Sequence, residues 1–173
     1  GEINDILMKA NDWLKIDDRI MSVTAMAMLV ETTINYVCSN GSDISQRMNI
    51  VGSDYSATAK NGDVIQTRSD GRSGNQMGLE RFNQDLVKER CNKVSSQVIE
   101  LIEAEQCPTG TMSLVLAPDQ MMLQIHESIG HALEIDRILG DERNYAGWSF
   151  VELEDFGNLK YGSDIMNITF DPT

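Results

Sequence analysis

Two Asn-Gly pairs place the strongest constraint on how this chain of 173 residues can fold. Asn40-Gly41 and Asn61-Gly62 each separate stretches that are rich in apolar and β-branched side chains. Asn and Gly readily adopt the positive φ angles that a tight hairpin turn requires, so each pair predicts a reversal of chain direction. We therefore predict an antiparallel meander whose strands are residues 20–30, 32–38, 44–60 and 63–69.

Helical periodicity dominates the next part of the chain. From residue 79 to about residue 105, apolar side chains recur at steps of three and four residues, as on one face of an α-helix. The members of this stripe are Leu79, Phe82, Leu86, Cys91, Val94, Val98, Leu101 and Ile102. We expect the stripe to cover one face of the meander. A shorter helix is predicted for residues 2–15.

The last third of the chain is organised differently. Residues 112–117 form a compact apolar run typical of a strand, and Pro118-Asp119 is typical of a helix start. Because strands precede a long helix rather than alternating with helices, the predicted fold class is α+β with a mainly antiparallel sheet. We expect two parts, residues 19–106 with the sheet and the long helix, and residues 107–173 with a strand and a second helix.

The two ends of the sequence suggest a fragment. The chain opens on Gly1 without a Met, and it closes shortly after residues 165–170, an apolar run that resembles a strand. We therefore expect it to be a continuous piece of a larger protein.

Charge and cysteine content argue against several classes of function. With 27 acidic and 14 basic residues, a net charge of −13, the chain repels phosphate backbones and anionic lipid head groups. No apolar run reaches the roughly 20 residues that cross a bilayer. We therefore predict neither direct nucleic-acid binding nor membrane insertion. The three cysteines lie far apart without CxxC spacing, which predicts no disulfide framework and suits the reducing cytoplasm.

Both histidines of the chain lie in one six-residue segment, His126-Glu127-Ser128-Ile129-Gly130-His131. Two imidazoles on one element can hold zinc through nitrogen, and a glutamate that is not a ligand can accept a proton from the water that zinc activates. Two surface histidines on an ordinary amphipathic helix are the alternative interpretation. Their concentration beside a glutamate favours a metal site.

The spacing of this HExxxH segment conflicts with a regular helix. Residues five apart on an α-helix point roughly 140° away from each other, whereas residues four apart differ by about 40°. A single π-type turn absorbs one extra residue and restores the facing arrangement. We therefore predict a bulged or distorted turn between His126 and His131, with Gly130 as the residue at which the backbone deforms at least cost.

Two histidines do not complete a zinc site, which usually has a third protein ligand and an open position. Glu134 and Asp136 follow closely and are candidates either for ligands or for carboxylates that orient His131. Each is equally compatible with an exposed charge at a helix end. None of the three cysteines is near His126 in sequence.

Several segments of the chain resemble the TldD/PmbA family, historically labelled modulators of DNA gyrase. They are residues 107–111, 114–118, 126–137, 145–150 and 171–173. The resemblance is specific over about residues 107–173 and architectural over residues 20–105. It implies a cytoplasmic zinc metallopeptidase that acts on unfolded or extended peptides. Because the HExxxH motif is intact, the chain is similar to the catalytic TldD-type member rather than to the PmbA-type sibling, which lacks the motif.

The resemblance also implies roles and partners. His126 and His131 would be zinc ligands and Glu127 the general base, with the third ligand a cysteine from a carboxy-terminal domain that this sequence does not reach. Cys38, Cys91 and Cys107 are therefore not assigned that role. A homodimer, or a heterodimer with a motif-lacking sibling, is implied. The alternative function is a non-catalytic binding module that modulates a protein partner such as DNA gyrase or an antitoxin.

Overall fold

A computed structural model of the chain describes residues 1–71 and 73–169. The chain divides into an amino-terminal unit, Gly1–Pro108, and a carboxy-terminal unit that begins at Thr109. The family-like segment 171–173 lies outside the described residues, as does the last residue of the predicted strand 165–170. Residues 165–169 form a turn and irregular structure rather than a strand.

The amino-terminal unit contains the predicted antiparallel meander. Strand β1 (Ile20–Val37) pairs with β2 (Asp43–Asn61), which pairs in turn with β3 (Val64–Ser69). A short strand, β4 (Ser73–Asn75), pairs with residues 51–53 of β2. Both hairpin turns use a glycine with positive φ, 93° at Gly41 and 60° at Gly62. The α+β class and the two reversals of chain direction are therefore confirmed.

One boundary within the sheet was predicted wrongly. The segments 20–30 and 32–38 were expected to be separate strands, but residues 20–37 form one continuous strand. Glu31 between them occupies an ordinary ladder position opposite Asn49, because β2 is long enough to pair with the whole of β1. A single exposed charge does not end a strand when its backbone partners continue on both sides.

Two α-helices accompany the sheet. Helix α1 covers Glu2–Leu14, as predicted, and α2 covers Gln84–Glu103. The predicted helix start at residue 79 is wrong, because Leu79–Phe82 form a separate 3-10 turn. Asn83 then takes a non-helical conformation, and its side chain accepts hydrogen bonds from the amides of Asp85 and Leu86, which fixes the start of α2. None of the helices in the described part of the chain is long and apolar enough to cross a membrane.

The core of the amino-terminal unit lies where α1 and α2 meet the sheet. Its buried members are Ala10, Leu14, Ile20, Tyr55, Ala57, Ala59, Val87, Cys91, Val94, Val98 and Ile102. The predicted stripe on α2 is partly wrong, since Leu86 and Leu101 are 36% and 38% exposed while Val87 and Ser95 are buried. The stripe is displaced because α2 packs against α1 as well as the sheet. The Ser95 hydroxyl donates to the Leu14 carbonyl at 2.8 Å, which satisfies the carboxyl end of α1 inside the core.

A polar cluster ties α2 to the sheet beside this core. The Arg90 guanidinium donates to the Asp70 carboxylate at 2.6 Å and to the Ser53 hydroxyl at 2.7 Å. It also lies 4.8 Å from the centroid of the buried Tyr55 ring. The second Asp70 oxygen accepts from the Tyr55 amide. Because each charge has an opposite charge and further hydrogen bonds, the pair can be held at 14% exposure of both side chains.

At the far end of the β1–β2 ribbon, residues 76–79 border Val30 and residues 47–50. We call residues 30–37 and 43–50 the distal hairpin; here β1 and β2 pair only with each other in the described sheet. Large apolar side chains are exposed along it, from Val30 at 39% to Val37 at 75%. The Glu31 carboxylate and the Arg47 guanidinium form a cross-strand ion pair at 2.7 Å.

The carboxy-terminal unit is built from short helical segments. Helix α3 (Pro118–Ile125) continues directly into a π turn, His126–Gly130, and a 3-10 turn, His131–Leu133. Helix α4 (Ile135–Leu139) follows and ends at Gly140, whose φ is 85°. The start of α3 at Pro118 agrees with the prediction.

The strand predicted at residues 112–117 is absent. These residues have irregular structure, and Leu114 and Val115 are 78% and 94% exposed. A strand requires a backbone partner, and all four described strands belong to the amino-terminal unit. An apolar run alone therefore did not determine strand structure at this position.

Leu14 is fully buried at the end of α1, whereas Met8 on the same helix is 67% exposed. We expect Leu14→Ala to lower the free energy of unfolding by about 2–5 kcal/mol, because it leaves a cavity between α1, α2 and the sheet. Met8→Ala, the matched control, should change it by less than about 0.5 kcal/mol. Urea unfolding followed by tryptophan fluorescence measures both. Equal effects of the two substitutions would contradict this description of the core.

Candidate metal centre

The HExxxH segment begins as regular helix and then widens by one residue. Pro118 at the first turn of α3 has no amide hydrogen to leave unpaired, which suits a helix start. Eight residues later the pattern changes: the amide of His131 donates to the carbonyl of His126, five residues earlier. This bond closes a π turn. The distortion predicted between the two histidines is thereby confirmed.

The π turn does not draw on the special conformational range of glycine. Gly130 has φ −56° and ψ −59°, and His131 has φ −66° and ψ −33°, all within the right-handed helical region. A Cβ atom at residue 130 would approach the His126 Nδ1 to 3.9 Å, an ordinary contact. The turn therefore does not depend on the conformational freedom expected of Gly130, because any residue can adopt the backbone angles found there.

The widened turn brings the two imidazole rings together. The ring centroids of His126 and His131 lie 4.4 Å apart with an interplanar angle of 79°. Ligand atoms of these histidines and of Glu127 lie within 4.8 Å of one another. The Glu127 Oε2 is 3.9 Å from the His131 Nε2. His126 and Glu127 are exposed, so the group is accessible from solvent.

This donor set fits a zinc ion. Zinc binds imidazole nitrogen at about 2.0–2.1 Å in tetrahedral geometry, so two nitrogens on one ion lie roughly 3.4 Å apart. Rings with centroids 4.4 Å apart can present nitrogens at that separation through small changes in side-chain torsion angles. Two histidines leave two positions of a tetrahedron for another ligand and for water.

The structure distinguishes the two carboxylates left open by the sequence. Glu134 Oε1 lies 2.9 Å from the His131 Nδ1, and Glu134 Oε2 forms an ion pair with the Arg137 Nε. The hydrogen bond with His131 and the charge of Arg137 hold the pKa of Glu134 below its usual value. Asp136 instead accepts a hydrogen bond from the Arg137 amide at the start of α4. Glu134 thus contacts a candidate ligand, and Asp136 takes part in a local helix contact.

The three cysteines lie in the amino-terminal unit, and the His126–Glu127–His131 group found in the described residues includes none of them. Burial raises the pKa of the Cys91 thiol to about 12. A thiol that resists ionisation is a poor metal ligand, because the thiolate is the binding form. Cys91 is therefore a core residue.

Two hydroxyls from residues downstream donate hydrogen bonds to the backbone of the motif and of the turn that follows it. The sequence analysis identified neither of them. The Tyr161 hydroxyl donates to the carbonyl of Ser128, within the π turn, at 2.5 Å. The Ser149 hydroxyl donates to the carbonyl of Ala132, in the following 3-10 turn, at 2.6 Å. In a π turn or a 3-10 turn the backbone carbonyls do not all accept the amide hydrogen bonds of a regular α-helix. The two hydroxyls supply hydrogen-bond donors to carbonyls in these turns. Their separation of 33 and 17 residues from the acceptors leaves no local sequence signal.

The motif also lines an apolar cavity of about 320 Å³ within the carboxy-terminal unit. Ile129 contributes from the motif and Leu133 from the 3-10 turn that follows it, and Phe156, Leu159 and Met166 contribute from residues 156–166. The motif thus has an apolar face as well as the polar face that carries the imidazoles.

Comparison with known proteins places the chain beside two archaeal enzymes, while no protein-family model matches it. It is 29% identical over 160 residues to a metalloprotease of Methanothermobacter thermautotrophicus, covering 90% of this chain and 32% of that protein. It is 23% identical over 162 residues to a metalloprotease of Methanocaldococcus jannaschii, covering 86% of this chain and 35% of that protein. The chain therefore spans about a third of the length of the curated relatives it matches.

Tyr161→Phe removes the donor to the Ser128 carbonyl and keeps the ring. We expect the free energy of local opening of the π turn to fall by about 0.5–1.5 kcal/mol. This should appear as faster amide hydrogen exchange in the π turn, with little change elsewhere. Tyr145→Phe is the matched control, since Tyr145 is 93% exposed. Unchanged exchange at residues 126–131 in the Tyr161 variant would show that the hydroxyl does not support the turn.

Two glycines of this unit should respond oppositely to alanine. Gly130→Ala places a methyl group in a helical position with room for it, so the free energy of unfolding should rise by up to roughly 1 kcal/mol. Gly140→Ala forces a side chain into the left-handed region, at a cost of about 1–2 kcal/mol. Thermal unfolding of the two variants tests this. A large destabilisation by Gly130→Ala would mean that the π turn does depend on glycine.

Proposed function

We propose that the protein is a zinc-dependent peptidase of the TldD type that hydrolyses unfolded or extended peptides. The observation that carries the proposal is the convergence of His126, Glu127 and His131 at one solvent-accessible point. Similarity to two archaeal metalloproteases over most of the chain supports the same class of activity. The TldD type rests on the sequence resemblance, and the peptide substrate is inferred from that type.

His126 and His131 are the residues that would hold the metal, through one ring nitrogen each. When bound, zinc supplies Lewis acidity, which lowers the pKa of a coordinated water and polarises a carbonyl. His131 presents Nε2 toward Glu127, so this nitrogen is available within the group. A neutral imidazole keeps a lone pair on one ring nitrogen for such a bond.

Glu127 is the proposed general base. Its carboxylate is exposed and lies 3.9 Å from the His131 Nε2, beside the two rings. From there it can accept a proton from the attacking water at one oxygen and deliver it to the departing amine. Positioned proton transfer of this kind contributes typically 10²–10⁴-fold to the rate.

The third metal ligand, the partner chain and the cellular location are proposed for the complete protein. We infer that a third ligand is supplied from outside this sequence, which spans about a third of the length of its relatives. The sequence resemblance makes a cysteine of a carboxy-terminal domain the candidate. Pairing with a second copy or with a motif-lacking sibling, and a cytoplasmic location, are part of the same proposal. The location is inferred from the number and spacing of the cysteines.

The test uses the complete protein with zinc and an unstructured peptide substrate. Glu127→Gln should lower cleavage by about 10²–10⁴-fold while metal content stays near that of the parent. His126→Ala should lose bound zinc, measured by elemental analysis. Glu154→Gln, an exposed carboxylate of the same unit, is the control and should leave both unchanged.

Undiminished cleavage by Glu127→Gln would remove the general base from the proposal. Absence of zinc binding by the intact motif would remove the metallopeptidase itself. Chelator-insensitive binding of a protein partner without cleavage would favour a binding module instead.

A further inference from the structure

We propose that Glu134 is a positioning residue that fixes the tautomer and orientation of His131 for metal binding. The inference rests on the proposed function, because it concerns how the chain's own carboxylate prepares one of the two candidate ligands. Its basis is the 2.9 Å contact between Glu134 Oε1 and His131 Nδ1.

This contact determines which nitrogen of His131 is free. An ionised carboxylate can only accept hydrogen bonds, so the imidazole nitrogen beside it must carry the proton. In the neutral ring that proton sits on Nδ1, and the lone pair is then on Nε2. Nε2 is the nitrogen directed at the Glu127 carboxylate, 3.9 Å away. Glu134 therefore places the lone pair of His131 on the side of the ring that faces the rest of the group.

The backbone explains how Glu134 reaches back to the ring. Glu134 follows the 3-10 turn and has φ −66° and ψ 122°, an extended conformation between two helical segments. It is three residues after His131, a spacing that brings side chains together on one face of a helical turn. The break in helical geometry at Glu134 thus separates the motif from α4 and keeps the carboxylate beside His131.

Arg137 holds the other oxygen of the same carboxylate. Its guanidinium forms the ion pair with Glu134 Oε2, and its side chain is 20% exposed. Its carbonyl accepts hydrogen bonds from the amides of Gly140 and Ser149. Arg137 is therefore tied by its backbone to the end of α4 and to the downstream segment, which limits the freedom of Glu134.

A Glu–Arg ion pair near the surface would by itself add little to stability, and its removal would leave His131 unaffected. A carboxylate that orients a ligand has a different signature. Loss of such a partner typically lowers metal affinity 10- to 100-fold. The tautomer of His131 and the affinity for zinc, rather than the free energy of unfolding, therefore distinguish a positioning role of Glu134 from a simple ion pair.

The experiment compares Glu134→Ala, Glu134→Gln and the control Asp136→Asn in the complete protein. In metal-free samples, nitrogen-15 spectra of the imidazoles report the tautomer directly. We expect the Nδ1-protonated form of His131 in the parent and in Asp136→Asn, and a mixture of tautomers in Glu134→Ala. Zinc affinity, measured by competition with a chromophoric chelator, should fall about 10- to 100-fold in Glu134→Ala. Glu134→Gln should be intermediate, since its amide oxygen still accepts from Nδ1.

An unchanged tautomer together with unchanged zinc affinity in Glu134→Ala would overturn the inference. If Glu134→Ala does not fold, Glu134→Gln decides: an intermediate zinc affinity supports the inference, and a parental zinc affinity overturns it. If the parent binds no zinc, the proposed function fails. The tautomer in metal-free protein still decides whether Glu134 positions His131.

Discussion

The hydrogen bond from the His131 amide to the His126 carbonyl is the constraint on which the candidate metal centre depends. On a regular α-helix two residues at this spacing would point roughly 140° apart. By closing a turn that contains one more residue, the bond brings the ring centroids to 4.4 Å. The contacts of Tyr161, Ser149 and Glu134 then act on a backbone whose shape this bond has already determined. Two histidines five residues apart could not hold one metal ion on an ideal α-helix, but the π turn brings their rings close enough to do so.

The two units are stabilised in different ways. In the amino-terminal unit, α1, α2 and the sheet enclose an apolar core, with the paired charges of Arg90 and Asp70 at its margin. In the carboxy-terminal unit most large apolar side chains are at least partly exposed, and the hydroxyls of Ser149 and Tyr161 donate to backbone carbonyls in and next to the motif. The motif is held by a few directed hydrogen bonds rather than by a large buried volume.

Local signals in the sequence predicted the parts of the structure that local geometry determines. The Asn-Gly pairs fixed both hairpins, Pro118 marked a helix start, and the spacing of His126 and His131 required a widened turn. Features that depend on distant residues were predicted less well. The buried face of α2 shifted because α1 packs on it through Ser95, and the apolar residues 112–117 form no strand. Glu134 was identified as a candidate, but choosing between it and Asp136 required the side-chain contacts.

The distal hairpin has a consequence for how this protein behaves at high concentration. A two-stranded ribbon presents two rows of backbone amides and carbonyls without ladder partners, and such rows act as templates for foreign strands. Native proteins commonly protect these edges with lysines, prolines or bulges, yet residues 30–37 and 43–50 contain neither lysine nor proline and just three charged side chains, Glu31, Asp43 and Arg47. Where nothing covers this ribbon, self-association should begin there, by edge-to-edge β-pairing, while the apolar core remains intact.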